Sequence, residues 1–224
     1  MQADFWLERW QQNQIGFHEE DINPHLQNFW DNFNIPVGST IFVPLCGKSS
    51  DMLWLLSLGY QVIGVELSPI AVKSFFVDNS LSAEVTAQGT FQCWQVDGLT
   101  ILQGNFFDLS SADLAGCYAV YDRAALIALP IEMRQQYVAH LRQIAPSLSH
   151  TLLVTLEYNQ DEMSGPPFSV SSDEVQVLFG ADYAVECLFK DDALQQNEYF
   201  KERGLSQLVE SAYWLSQLDS PAAK

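Results

Sequence analysis

The sequence predicts an α/β fold, one domain built on a mainly parallel sheet with helices on both faces. Two patterns point there. Between Thr40 and Tyr158, the short apolar runs "TIFVPL", "QVIGVEL", "CYAVYD" and "TLLVTLEY" alternate with stretches of helical periodicity, the order that feeds a parallel sheet. The runs are apolar at nearly every position, as strands buried on both faces are. Nothing in the 224 residues resembles a polar linker long enough to separate two cores, so a single domain is expected.

The elements follow in order. "ADFWLERWQQ" places Trp6 and Trp10 on one helical face, and "NPHLQNFWDNF" spaces Leu26, Phe29, Trp30 and Phe33 as an amphipathic helix does. Asn23 is a cap for that helix and Pro24 opens its first turn. "TIFVPL" reads as a strand, "SSDMLWLLSL" as a helix stopped by Gly59, "QVIGVEL" as a strand, and Ser68-Pro69 as the start of another helix. "FQCWQVDGLTILQG" alternates and breaks at Asp97-Gly98, a two-residue hairpin signal that inserts antiparallel strands. "CYAVYD" and "TLLVTLEY" are buried strands, separated by a helix carrying Met133, Tyr137, Leu141 and Ile144. A short helix ends near Gly180, and "YAVECLF" and "SQLVESAYWL" close the chain as antiparallel strands. Sheets of this kind bind ligands beyond the carboxyl ends of their strands, which puts the chemistry at residues 44–51, 66–69, 104–108, 122–126 and 157–168.

Composition narrows the partners. Apolar residues make up 48 % of the chain, enough for a sizeable core, and 28 Asp and Glu against 10 Lys and Arg give a net charge of -18. Such a field repels polyphosphate and anionic lipid surfaces, so neither nucleic acid nor membrane is expected as a partner. Cys46, Cys93, Cys117 and Cys187 form no C-x-x-C pair, which leaves buried, reduced thiols as the expectation and no metal site. No secretory pattern opens the chain and no long apolar run interrupts it, so a cytoplasmic location and a monomer are expected.

The stretch "FVPLCGKSSD" followed by "GVELS" carries the cofactor signal. A dinucleotide site needs G-x-G-x-x-G so that backbone can approach a pyrophosphate; only Gly47 is present, and Asp51 in the next helix's first turn repels phosphate. A P-loop, and with it a nucleotide hydrolase, matches in Gly47, Lys48 and Ser49, with the strand ending at Asp122 as a magnesium partner, but Phe42 stands where its first glycine belongs. S-adenosylmethionine has no phosphate, carries two cationic groups, and gains from nearby acids. Glu66, at the end of the second strand, is placed to accept ribose hydroxyls as the acid of dinucleotide folds does; the alternative is a solvated Glu beside the Ser68-Pro69 helix start.

With "FVPLCGKSSDM", "GVELS", "FFDL", "YDRAAL" and "GPPF" in this order, from about Trp6 to Gly180, the chain resembles the thiopurine S-methyltransferase family of bacterial type, within the class I S-adenosylmethionine-dependent methyltransferases. The resemblance implies a doubly wound, mainly parallel seven-stranded sheet, one methyltransferase domain over 1–224 with residues 1–35 as a helical cover, and methyl transfer to a soft sulfur, or to selenium or tellurium compounds. By position it places cofactor contacts on Trp10, Leu45, Glu66, Asn105, Phe106 and Arg123, and the cover on Phe17 and His18. Trp10 offers an indole face to a sulfonium, or packs as a core aromatic beside Trp6. Leu45 ends the first strand, where its backbone meets the methionine part or its side chain simply packs. Asn105 and Phe106 offer an amide edge and a ring to adenine, or are a turn Asn and a core Phe. Asp122 is expected to orient Arg123 by a bidentate pair at the reacting centre, and His18 to accept a proton. Phe168 of "GPPF" is expected to wall an aromatic substrate. Catalysis by positioning a thiol or selenol requires no strong base, and a cofactor-binding module without catalysis is the remaining alternative. The resemblance weakens after about Asp191, so "QQNEYFKERG" receives no role.

Overall fold

The computed structural model describes residues 3–146 and 148–218; the remaining positions of the expected 1–224 domain lie outside the described residues. Helix α1 (Ala3–Gln11) and helix α2 (Pro24–Phe29) precede the sheet. Asn23 caps α2, its side-chain oxygen accepting from the N–H groups of His25 and Leu26 at 3.0 and 3.3 Å. Strand β1 (Thr40–Val43), helix α3 (Asp51–Ser57), strand β2 (Gln61–Glu66) and helix α4 (Pro69–Asp78) form the first βαβα unit. Ser68 Oγ caps α4 by accepting from Ala71 N at 3.3 Å.

Strands β3 (Glu84–Gln88), β4 (Phe91–Val96) and β5 (Leu99–Gln103) form an antiparallel ribbon. Asp97 and Gly98 both take positive φ between β4 and β5, the backbone a two-residue hairpin turn requires. β3 has no apolar alternation, since all five residues are exposed, and the sequence did not announce it. Strand β6 (Cys117–Asp122), helices α5 (Ala125–Ala128) and α6 (Ile131–Ile144), strand β7 (His150–Glu157) and helix α7 (Ser172–Phe179) follow. Strand β8 (Tyr183–Asp192), helix α8 (Glu198–Glu202) and strand β9 (Val209–Gln217) finish the described chain.

The strands form one sheet in the order β3-β4-β5-β2-β1-β6-β7-β9-β8. The expected seven strands are therefore nine among the described residues: the doubly wound set from β5 to β8 is present, and β3 and β4 extend its edge. Pairings from β5 through β7 are parallel, and those of β9 with β7 and β8 are antiparallel. Neighbours on a strand point to opposite faces, so Ile41 enters a core with Leu26, Trp30, Met52 and Phe75, whereas Phe42 enters one with Phe106, Leu126, Tyr137 and Leu153. Both faces are thus covered, and the strand order reverses between β1 and β6, opening a crevice at their carboxyl ends. A third small core, Tyr158, Met163, Leu194, Phe200, Leu205 and Leu208, anchors the segment joining β8 to β9. Cys46, Cys93 and Cys117 are buried as expected; Cys187 is exposed on the edge strand β8, where the pairing with β9 shifts register.

Candidate active site

The crevice holds a cavity of about 420 Å³, within the range of small-molecule sites, roughly 300–1,000 Å³. Its first end lies over β1, β2 and β5. Glu66 closes β2 with its side chain buried; Oε2 accepts from Gly47 N at 2.9 Å and Oε1 from Ser68 N at 2.7 Å. Burial pushes its carboxyl up, and these backbone donors pull it back. Each oxygen keeps a second lone pair, and the group faces the cavity. Leu45 and Gly47 turn the chain out of β1 with φ of 46° and 53°. A Cβ on Gly47 stands 3.5 Å from Trp10 Cζ2, so the indole lies directly over the bare turn. Asn105 Oδ1 accepts from Phe107 N at 3.1 Å, holding its side chain at the cavity edge. Phe106 borders the same space, but its ring is buried against Tyr137 (4.8 Å) and His140 (5.2 Å).

No phosphate cradle exists here. Phe42 is fully buried inside β1, and Lys48 Nζ pairs with Asp78 at 2.9 Å, so both P-loop requirements fail and the nucleotide-hydrolase alternative is dropped.

The roof comes from the N-terminal segment. Phe17 meets Trp6 and Trp10 edge to face at 5.5 and 5.7 Å, and Trp6 Nε1 is buried without a hydrogen-bond partner. His18 lines the cavity; burial lowers its pKa first, and the positive charges of Lys48 and Arg123 lower it further, so the ring is neutral at pH 7.

Asp122 and Arg123 do not form the expected pair. Asp122 accepts from Ala125 N, Leu126 N and Tyr137 OH at 3.0, 3.2 and 2.7 Å, and burial raises it to about 6. Its carboxylate caps α5 on the core side of the sheet and does not line the cavity. Arg123 points the other way, as neighbours on an extended chain do: Nε lies 3.4 Å from Asp51 Oδ2, one terminal nitrogen 3.4 Å from Glu19 Oε2, and the other donates to Ser49 Oγ at 3.2 Å. Burial works against its charge, but Tyr121, Asp51 and Glu19 outweigh burial and push its pKa up.

Asp51 is a site residue that sequence reasoning missed. Wholly buried at the start of α3, it accepts from Asn23 N at 2.8 Å and Tyr121 OH at 2.9 Å as well as facing Arg123. From sequence it was legible as an acid in a helix's first turn that repels phosphate, and not as the partner of Arg123 and Tyr121.

The other end of the cavity lies over β6, β7 and β9, lined by Ile127, Met133, Leu156, Phe200 and Leu208. Phe168 is absent from it: its N–H donates to Ile127 O at 2.7 Å and its ring lies 6.0 Å from the Arg134 guanidinium. Pro166 and Pro167 line the cavity instead. The segment around Phe200, given no role from sequence, is therefore part of the wall.

The family model described as Thiopurine S-methyltransferase matches residues 1–218, so the match runs beyond Asp191, where the sequence resemblance had faded. The Thiopurine S-methyltransferase of Pseudomonas fluorescens (strain Pf0-1) is 49 % identical over 213 residues, covering 95 % of this chain and 98 % of its own. That of Nitrosospira multiformis is 47 % identical over 215 residues, covering 96 % and 98 %. Among solved structures, a SAM-dependent methyltransferase from Anabaena variabilis superposes with a TM-score of 0.62 at 11 % identity, covering 96 % of this chain and 95 % of that one. The 1,6-didemethyltoxoflavin-N1-methyltransferase of Burkholderia thailandensis, solved with S-adenosylhomocysteine, gives 0.62 at 11 % identity, covering 97 % and 87 %. Likeness of this kind speaks for the fold, and the sequence matches speak for descent: the chain belongs to the thiopurine S-methyltransferase family of S-adenosylmethionine-dependent methyltransferases.

Proposed function

We propose that the chain methylates the sulfur of heteroaromatic thiones of the thiopurine type, with S-adenosylmethionine as donor. The observation that carries this reading is one cavity with two chemically different ends: a buried carboxylate over a bare glycine turn, and an apolar wall large enough for a planar ring. When bound, S-adenosylmethionine supplies an electrophilic methyl group on a sulfonium. Glu66 accepts the sugar hydroxyls with the lone pairs its backbone donors leave free, Trp10 and the turn of Leu45 and Gly47 enclose the amino-acid portion, and Asn105 meets the base. Glu66 fits a ribose with free hydroxyls and repels one that carries a phosphate on them.

Residues 1–35 act as a cover, with Phe17 and His18 over the reactants, and the whole chain 1–224 works as one domain. The cover excludes water and holds donor and acceptor together, which supplies most of the acceleration when the nucleophile is a polarizable sulfur. Arg123, anchored by Asp51, presents positive charge between the two ends and stabilises the negative charge that reaches the sulfur when the acceptor's ring proton leaves. His18, neutral, serves as a hydrogen-bond acceptor. The acceptor is a small molecule, the protein is a monomer, and its compartment is the cytoplasm. No helix of the described residues is long and apolar enough to cross a membrane.

Incubation with labelled S-adenosylmethionine and 6-mercaptopurine, tellurite or selenite tests the reading. Label is expected on the sulfur of 6-mercaptopurine. Binding of S-adenosylhomocysteine without transfer to any acceptor makes the protein a cofactor-binding module and overturns the proposal.

A further inference from the structure

The apolar wall of the cavity is built by the end of β7, the start of β9 and the segment between β8 and β9. Its one carboxylate among the described residues is Glu210, the second residue of β9. In the sheet Glu210 stands opposite Leu156 on one side and Asp191 on the other, and Leu156 lines the same wall. Behind the carboxylate is His25, with Nε2 3.3 Å from Glu210 Oε2. Its side chain is 6 % exposed, with the imidazole stacked on Phe29 at 6.0 Å and set against Phe189 at 4.6 Å. Its Nε2 is buried and makes no hydrogen bond; the Glu210 carboxylate, 3.3 Å away, is the charged group it stands beside. The ring is fixed from the backbone side as well, since the N–H of His25 is one of the two that Asn23 caps.

A sulfur held as a thione carries its proton on a ring nitrogen, and that proton must leave when the sulfur is methylated. Glu66 is engaged at the opposite end, Asp122 is turned into the core, Glu19 is paired with Arg123 at 3.4 Å, and His18 belongs to the roof and not to this wall. We propose that Glu210 accepts the ring N–H proton of the thione acceptor, with His25 as the positioning residue that holds the carboxylate toward the cavity. The proposal rests on the thione reading given above. The step balances: a sulfur–carbon bond forms on the acceptor as the donor's methyl–sulfur bond breaks, with that pair staying on the donor sulfur. The acceptor's C=S pair becomes the new bond, the N–H pair becomes a ring C=N bond, and the proton goes to the Glu210 carboxylate and then to water. Nothing is oxidised or reduced beyond the transfer itself.

Two acceptors separate this role from a structural one. 6-Mercaptopurine has a ring N–H; 4-nitrothiophenol has none and is a thiolate near neutral pH. Glu210→Gln is expected to lower kcat/KM for 6-mercaptopurine by about 10²-fold, while 4-nitrothiophenol changes by less than about threefold. Glu210→Asp, which keeps a proton acceptor, is expected to restore much of the loss, and His25→Gln to show the same asymmetry in smaller measure. Near-UV titration of 6-mercaptopurine into the protein saturated with S-adenosylhomocysteine gives a readout free of turnover, with weaker binding expected for Glu210→Gln. Equal losses on both acceptors, or none on either, overturn the assignment. A wild-type protein that methylates 4-nitrothiophenol and not 6-mercaptopurine overturns the thione reading itself, and the Glu210 role with it.

Discussion

Replacing Glu66 by Ala separates two things its carboxylate does. In the folded chain Oε1 and Oε2 tie the start of α4 to the turn after β1 through Ser68 N and Gly47 N. Ser68 is fully buried, so its orphaned N–H costs about 1–3 kcal/mol, a fall in Tm of about 2–12 °C for a chain of this length. Gly47 N borders the cavity, where water replaces the lost acceptor at little cost. The second effect is on the ligand. A hydrogen bond to a charged group is worth about 1.5–3 kcal/mol, which is about a 12- to 160-fold rise in Kd. Calorimetric titration with S-adenosylhomocysteine reads this, because that product keeps the sugar and lacks the sulfonium charge. Glu66→Gln retains one acceptor while turning its amide toward the other backbone donor, so it should fall between the two. A Glu66→Ala protein that melts several degrees lower yet binds S-adenosylhomocysteine with the wild-type Kd would falsify the sugar-gripping role and leave Glu66 as a tie between two turns.

Asp122, raised from 3.8 to about 6 by burial, makes the folded state bind more protons than the unfolded one between those values. Its contribution is fully present below about pH 3.8 and lost as pH rises through about 6. Asp122→Asn keeps an oxygen for the two backbone donors and removes that slope, so urea unfolding should show the variant gaining about 1.4 kcal/mol on wild type from about pH 5 to about pH 7.5; a constant gap refutes the shift. Tyr121→Phe removes the hydroxyl that donates to Asp51 and should lower calorimetric stability by about 1–3 kcal/mol, whereas an unchanged Tm shows that Asp51 does not need that donor. Gly47→Ala places a methyl group at φ 53° with ordinary contact to Trp10, so thermal unfolding should register the left-handed backbone cost alone, about 1–2 kcal/mol. A much larger loss indicates a tighter roof than the 3.5 Å contact implies.

Much of the sheet was legible because its signals are local. Asn23 and Ser68 announce helix starts through their own side chains, and Asp97-Gly98 announces a turn through the φ it tolerates. β3 was not legible: "EVTAQ" faces water on both sides and is a strand only because β4 lies beside it. In the site, Glu66 stood out because strand and turn bring a carboxylate to the crevice by backbone geometry. Asp122 and Arg123 were misread for the opposite reason. Adjacent in sequence, they suggest a pair, yet they leave the end of β6 toward opposite faces, and only the fold shows that Tyr137 takes one and Asp51 the other. Phe168 misled similarly, because which ring of "GPPF" faces the cavity depends on Arg134, a residue of helix α6. Phe200 and Glu210 depend on long-range packing of the segment after β8.

The Asp51 network explains why an acid sits where a phosphate-binding fold cannot tolerate one. Its carboxylate lies at the N-terminal end of α3, where the helix dipole favours negative charge, and it joins the cover through Asn23 N, the central sheet through Tyr121 and the crevice through Arg123. Burying a carboxylate and a guanidinium gains little stability over an apolar pair of equal volume. What it does gain is a fixed direction: with Asp51 behind it, Arg123 is held away from Asp122 and turned toward Ser49 and Glu19, at the boundary between the two ends of the cavity. Glu19 is 59 % exposed, so its pair with Arg123 is weak and breaks readily, while Asn23, a few residues on, is held by a buried charge. The N-terminal segment is therefore tied firmly where it enters α2 and only weakly at Glu19.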